Sequence, residues 1–356
     1  IGNAGMVSCD EAKGWSRIII EKPFGRDRAT SDCLVEEMGQ VFAETQTYRI
    51  DHYLGKDVVQ NLMVLRFANT VFEPVWNRTY IHSVHVQWSE DIGIGNRGRY
   101  FDEYGIIRDV VQNHLMQIMA LVAMDQPRSL NSADVQDAKV RLLRSVRVLE
   151  PGDLLAGQYR GATRDGRPLP DYLAEQYVRP DSKTPTFAAV LLKIDNERWD
   201  GVPFLISAGK ALNNRRNEII VRFKAPKDNL FCDAQVCLGS NEMRIRIQPD
   251  EAIILRITNK VPDLGMRLAV TDLDLRYAAA FGPEKVPEAY ESLLLDAIHG
   301  DRSLFIRSDE LAAAWDIFTP VLHDLEARRV APLPYAFGSR GPAEYERFMF
   351  ESGVTS

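Results

Sequence analysis

The sequence predicts an α+β fold: a large, mostly antiparallel sheet with helices on one face, preceded by the last strand of an α/β segment. Three patterns lead there. Ile18-Ile19-Ile20 is a β-branched run that stops at Pro23 and Gly25. Helical spacing dominates the residues that follow. In the second half, strands succeed one another without intervening helices, as α+β domains do.

Taken in order, residues 17–25 are expected to form a short buried strand, the last parallel strand of its sheet. Residues 29–46 read as a helix with Leu34, Val35, Met38, Val41 and Phe42 on one side. The octapeptide Arg49-Ile50-Asp51-His52-Tyr53-Leu54-Gly55-Lys56 follows, and 56–67 is helical again. Residues 81–88 alternate, with Val84, Val86 and Trp88 against Ser83, His85 and Gln87, so a half-buried strand is expected. A glycine loop then leads to a strongly apolar helix over about 105–124.

The stretches 161–171 and 177–185 read as exposed loops. Strands are expected at 186–194, 217–224, 243–248, 252–258 and 272–277. Met243, Ile245 and Ile247 oppose Arg244, Arg246 and Gln248. Leu273, Leu275 and Tyr277 oppose Asp272, Asp274 and Arg276. One apolar and one polar face suits an antiparallel sheet. Residues 308–327 form a closing helix on Leu311, Trp315, Phe318, Leu322 and Leu325. Ser308 is its expected N-cap, Asp309 and Glu310 suit its first-turn dipole, and Pro320 should kink it.

With 356 residues, 45% hydrophobic and 26% charged, the chain has the size and composition of two globular domains or one large one. A net charge of −7 argues against a general nucleic-acid binder and leaves room for a local basic pocket. No apolar run approaches the roughly 18 residues of a membrane span. The start lacks a basic-then-apolar leader pattern. Because the first residue is Ile, the chain is expected to begin inside a longer product. Cys9, Cys33, Cys232 and Cys237 form no CxxC pair, and no His stands near the last two. Reduced thiols of an intracellular protein are the expectation, and no metal site.

The octapeptide is the densest chemical signal. Asp51, His52, Tyr53 and Lys56 offer a carboxylate, an imidazole, a phenol and an ammonium within six residues. A phosphorylated, hydroxyl-rich small molecule suits that set; a capped helix start with solvated side chains is the bland reading. Lys56 stands at the helix end that repels cations, which points it at an anion. In a second cluster, Asp109 and His114 lie five apart, about 140° around an α-helix. They flank a ligand at the helix edge rather than forming one stripe; otherwise His114 is a hydrogen-bonded core histidine. Third, Gly209-Lys210 follows an apolar strand and precedes Arg215 and Arg216. It either delivers an ammonium to a phosphate or forms a solvated basic turn. Gly93-Ile94-Gly95-Asn96-Arg97-Gly98 fits G-x-G-x-x-G, but Glu90 and Asp91 before it repel phosphate, and Arg99 to Asp102 are expected to separate it from the next helix. It reads as a flexible loop.

Together these stretches closely resemble the glucose-6-phosphate dehydrogenase family. The resemblance is carried by Ile20 to Gly25, the octapeptide, Gln60 to Asn69, Tyr100 to His114, Asn196 to Pro203, Gly209 to Leu212, Arg246 to Pro249 and Gly338 to Pro342, in family order. It implies oxidation of C1 of β-D-glucose 6-phosphate to 6-phosphogluconolactone, with hydride passing to NADP, the first step of the oxidative pentose phosphate pathway. It implies that His114 is the base and that Asp51 orients it. His52, Tyr53 and Lys56 would hold the phosphate. Glu90, Asp109, Lys210 and Gln248 would line the sugar site with Arg215 nearby, and Lys22 would sit between substrate and coenzyme. A homodimer or homotetramer is implied, in the cytoplasm or an organelle. A second, structural NADP of some relatives would meet Arg216, Arg246, Asp274 and Arg340, although Ile254 stands where an aromatic is often found.

On this resemblance residues 1–25 are the remnant of a Rossmann-type coenzyme domain, and 26–356 the α+β substrate-binding and dimerisation domain. The family's Gly-x-x-Gly-Asp-Leu turn has no match, so the 356-residue polypeptide is expected to show no turnover alone. Two rivals remain: other sugar oxidoreductases with a Glu-Lys-Pro motif, which lack the octapeptide, and a catalytically silent fragment whose sheet dimerises.

Overall fold

The chain, in a computed structural model, is described at residues 14–164, 166–226, 230–231, 239–282 and 288–354. The elements begin with β1 (Ile18–Ile20), α1 (Arg28–Gly39), β2 (Thr47–Ile50), α2 (Asp57–Phe67), β3 (Ile81–Ser89) and α3 (Gly98–Ile106). A π-helix, Ile107–Leu115, leads into α4 (Met116–Ala123) and α5 (Ser132–Ser145). Then come β4 (Leu154–Arg160), β5 (Ala162–Arg164), β6 (Arg167–Leu169), β7 (Phe187–Leu192), β8 (Phe204–Gly209), β9 (Arg216–Phe223), β10 (Glu242–Gln248), β11 (Ala252–Lys260) and β12 (Leu268–Arg276). The chain closes with α6 (Tyr277–Phe281), α7 (Ala289–His299), β13 (Phe305–Ile306), α8 (Ser308–Ala327), β14 (Leu333–Ala336) and α9 (Glu344–Glu351).

These elements divide into two compact units. One takes Ile1–Gln60, Ile107–Pro151 and Pro287–Val330; the other takes Asn61–Ile106, Gly152–Val286 and Ala331–Ser356. The first unit holds a three-stranded sheet, β1-β2-β13, with β1 parallel to β2. Its core is helical. Every residue of α4 is buried, Gln117 included, as suits a helix otherwise apolar on all sides. Trp315 of α8 donates its indole N–H to the Phe24 carbonyl at 3.1 Å, tying α8 to the end of the β1 segment.

The second unit is a nine-stranded sheet in the order β12-β11-β10-β9-β3-β8-β7-β4-β14. It is antiparallel except where β3 meets β8 and β4 meets β14. The mixed α+β class and the mostly antiparallel sheet are as the sequence predicts.

Several local expectations need correction. Residues 17–25 give a strand of three residues, and Ile19 is exposed rather than buried. The helix read over 29–46 stops at Gly39; further on, Thr47 to Arg49 pair with β1 and Ile50 pairs with β13 as a strand. The β3 strand is buried on both faces, because Ser83 and His85 are covered like Val84. The α3 helix opens at Gly98 itself. A side chain there would meet the Gln176 carbonyl oxygen at 1.9 Å, so the loop is packed at Gly98, while Gly95, Asn96 and Arg97 are exposed. Within 161–171, Ala162–Arg164 and Arg167–Leu169 pair as the antiparallel strands β5 and β6. The 177–185 loop is pinned by buried Asp102, which accepts from Tyr172, Ser182 and Arg179.

On β12, Leu273 and Leu275 are exposed, so its apolar face is uncovered among the described residues. In α8, Ser308 is the first helical residue rather than the cap; Glu44 caps this end by accepting its backbone N–H at 2.9 Å. The helix runs through Pro320. Cys33 is an exposed thiol, while Cys9, Cys232 and Cys237 lie outside the described residues.

His85 is a buried polar residue in the second unit's sheet. Its Nε2 lies 2.8 Å from Ser207 Oγ and 3.3 Å from the Tyr345 hydroxyl. Burial, and then the Arg222 charge, pushes its imidazole down to about 3. The unfolded chain titrates near 6.5. Between these values the unfolded chain binds a proton that the folded chain does not, so His85 lets stability fall as pH drops below about 6.5. His85→Asn is therefore expected to lose about 2 kcal/mol less than the parent on going from about pH 7.5 to about pH 5. Urea unfolding at the two pH values checks this; parallel losses in the two proteins would sink it.

Candidate active site

The octapeptide leaves β2 as a ladder of tight turns. The N–H groups of Leu54, Gly55 and Lys56 donate to the carbonyls of Asp51, His52 and Tyr53. Asp51 Oδ1 accepts the Tyr53 N–H at 2.9 Å, which folds the carboxylate back over its own turn. Gly55 is needed because α7 presses on it: a Cβ would sit 2.4 Å from the Ala289 carbonyl oxygen. That approach brings Tyr290 flat over His52, with ring centroids 5.9 Å apart and planes 8° from parallel.

The π-helix supplies the facing groups. Its hydrogen bonds span five residues rather than four, so positions five apart come round to the same side. The α-helical expectation that Asp109 and His114 diverge is corrected here: both touch one ammonium. Lys22 Nζ donates to Asp109 Oδ1 at 3.0 Å and to the Asp109 carbonyl at 2.7 Å, and lies 3.0 Å from His114 Nε2.

His114 Nδ1 lies 2.6 Å from Asp51 Oδ1. These contacts fix the tautomer. A lysine ammonium has no lone pair to offer, so Nε2 must be the acceptor, and Nδ1 carries the proton donated to Asp51. The ring is clamped by Tyr53, stacked at 4.7 Å, and by His52, edge-on at 4.7 Å. Asp51 and His114 are both buried.

Burial alone would raise the Asp51 carboxyl, but His114, His52 and the Tyr53 N–H together hold it below the usual range. Burial, together with His114, Lys22 and Lys56, pushes His52 down to about 4, so it is a neutral imidazole near pH 7. Tyr290 is raised by burial and by its hydrogen bond to Glu21. Lys56 Nζ lies 5.6 Å from the Tyr53 ring centroid.

Donor atoms of Asp51, His52 and His114 lie within 4.8 Å of one another, as a metal site would need. Both nitrogens of His114 are nevertheless committed, Nδ1 to Asp51 and Nε2 to the Lys22 ammonium.

The other sequence-predicted residues belong to the second unit. Ser89 of β3 is in register with Gly209 of β8, so the next residue on each parallel strand meets the other: Lys210 Nζ donates to Glu90 Oε2 at 2.7 Å. Lys210 is buried against Trp88 and Phe101, 5.1 and 5.6 Å from the ring centroids, not a solvated turn. Arg215 is exposed, and Gln248 accepts from Asn217 at the end of β10.

Arg216, Arg246 and Asp274 lie on β9, β10 and β12. Arg216 is 3.8 Å from Glu218, Asp274 is 2.9 Å from Arg276, and Arg340 is 3.7 Å from Glu346. Sequence reasoning missed Tyr290, Glu21 and Asn113. The first two lie far apart in the chain, and only the packing of α7 on Gly55 joins Tyr290 to the octapeptide.

Residues 63–355 match the family model "Glucose-6-phosphate dehydrogenase, C-terminal domain", and residues 1–61 match "Glucose-6-phosphate dehydrogenase, NAD binding domain". A chloroplastic glucose-6-phosphate 1-dehydrogenase 1 of Arabidopsis thaliana is 53% identical over 332 residues, 92% of this chain and 58% of that protein. A cytoplasmic isoform of Solanum tuberosum is 49% identical over 341 residues, 96% of this chain and 64% of that protein. The chain thus spans less than two thirds of the length of these relatives. Among solved structures, a glucose-6-phosphate dehydrogenase in complex with its substrate glucose-6-phosphate superposes with a TM-score of 0.90 at 44% identity, covering 96% of this chain and 69% of that one. The enzyme from Mycobacterium avium gives 0.82 at 34% identity, covering 96% and 71%. With the family model matched across most of its length, this chain belongs to the glucose-6-phosphate dehydrogenase family.

Proposed function

We propose that this chain carries the sugar-phosphate site and the proton-handling group of a glucose-6-phosphate 1-dehydrogenase. The reaction is oxidation of C1 of glucose 6-phosphate to 6-phosphogluconolactone, with NADP as the hydride acceptor. One observation carries the reading: a buried Asp51–His114 pair at 2.6 Å whose outer nitrogen is an acceptor. His114 Nε2 takes the proton of the C1 hydroxyl, and the Asp51 carboxylate stabilises the imidazolium that forms. His52, Tyr53 and Lys56 hold the phosphate, and Asp109 receives a sugar hydroxyl. Glu90, Lys210, Arg215 and Gln248 are proposed as further sugar-binding groups. No membrane or nucleic-acid partner is assigned; among the described residues no helix is long and apolar enough to cross a membrane. A homodimer or homotetramer in the cytoplasm is proposed for the whole protein.

The coenzyme does not fit this chain's own glycine loop. Gly98 is sealed by the Gln176 carbonyl, an acceptor that repels phosphate. Lys22 is therefore the one residue assigned to the reacting coenzyme, and residues 1–25 are proposed as the end of its domain. The 356-residue polypeptide is expected to form no NADPH by itself. Arg216, Arg246, Asp274 and Arg340 are proposed for a structural NADP. Arg246 Nε, buried without a hydrogen-bond partner among the described residues, suits an anionic ligand there.

Calorimetric titration of glucose 6-phosphate tests the reading. His52→Ala and Lys56→Ala are each expected to weaken binding about 10- to 100-fold, the worth of a charge-assisted contact. Unchanged affinity in both folded variants would leave the octapeptide a scaffold rather than a phosphate site.

A further inference from the structure

Asn113 precedes the base in sequence, and its carboxamide is used at both ends. Its Nδ2 donates to the Arg108 carbonyl at 3.1 Å, five residues back. Its Oδ1 accepts the backbone N–H of His114 at 2.7 Å. In a helix wound with five-residue hydrogen bonds, the regular acceptor for the His114 N–H is the Asp109 carbonyl. That carbonyl receives Lys22 Nζ, also at 2.7 Å. The same ammonium reaches Asp109 Oδ1 and His114 Nε2. An ammonium has three protons, and here each has a protein acceptor.

We propose that Asn113 is a positioning residue for the base. Its carboxamide oxygen takes the His114 N–H while its amide ties to the Arg108 carbonyl, and this fixes where the imidazole stands relative to the Asp109 carbonyl and the Lys22 ammonium. The role is local to the π-helix and the β1 segment, and all the groups named lie in one compact unit. It rests on the reading of His114 as the proton acceptor from a sugar hydroxyl. A purely structural role would be a helix-stabilising hydrogen bond with no effect on the imidazole.

The test is Asn113→Ala in the full-length enzyme, read by steady-state kinetics, thermal unfolding and ¹⁵N NMR of the His114 ring. The expected result is a kcat lower by about 10- to 100-fold, the scale of losing a group that orients another, or of a misplacement of about 1 Å. KM for glucose 6-phosphate stays within about twofold. The His114 Nε2 resonance moves as the lysine contact loosens. A lower melting temperature with unchanged kcat and unchanged Nε2 resonance overturns the proposal. If the unsubstituted enzyme fails to oxidise glucose 6-phosphate while the Nε2 resonance still responds to Asn113→Ala, the functional reading falls and the positioning role stands.

Discussion

His114→Asn in the full-length enzyme is expected to lower kcat by roughly 10²–10⁴-fold or more, with a smaller change in the affinity for glucose 6-phosphate. The reason is geometric. Asn keeps a polar group near the place of Nδ1, so the Asp51 carboxylate is not abandoned in a buried setting, but no basic nitrogen remains where Nε2 stood. Asp51→Asn is expected to be milder, because it removes the charge that stabilises the imidazolium and leaves the base in place. Steady-state turnover with glucose 6-phosphate, and direct titration of the same sugar, separate the two effects. Near-normal turnover in His114→Asn would remove this histidine from the chemistry.

The largest effect on stability is expected away from that site. Lys139 of α5 and Glu310 of α8 are fully buried as an ion pair, with Nζ 2.9 Å from Oε1, and the ammonium donates a hydrogen bond to Gln117 of α4 at 3.1 Å. Lys139→Met leaves a carboxylate uncompensated in the helical core and should cost about 3–5 kcal/mol. The cost arises from the stranded charge rather than from the worth of the bond. Lys139→Met combined with Glu310→Leu should therefore recover most of it. Urea midpoints of the two single variants and the double variant decide the matter. A double variant as unstable as the worse single one would show that shape, not charge, sets the cost.

Glu310 also shows where the sequence is misleading. Beside Asp309 it looks like a solvated first-turn acid, and nothing local signals that a lysine 171 positions earlier will reach it. The strand faces of β10 were legible because burial there follows a period of two, and Met243, Ile245 and Ile247 are covered as that period demands. On β3 the same alternation misled, because Ser83 and His85 are covered as fully as the valines, His85 with the Tyr345 hydroxyl 3.3 Å away. The octapeptide was legible as chemistry, since four kinds of polar group rarely gather for packing alone. Its partner was harder to place. An α-helical wheel separates Asp109 from His114, and no propensity marks the wider winding that unites them. Tyr290 was out of reach, because its place over His52 depends on the close approach of α7 to Gly55.

The three contacts of Lys22 have a consequence for ligand affinity. A sugar hydroxyl that reaches His114 Nε2 must displace a bond already made, so its arrival is an exchange and the number of hydrogen bonds at that nitrogen stays constant. Such a swap contributes little to ground-state binding. What it contributes is direction: the incoming oxygen inherits a lone pair already aimed by Asp51, Tyr53 and His52. The hydroxyl should thus be weak as an anchor and strong as a trigger, with its interaction energy appearing as the proton moves.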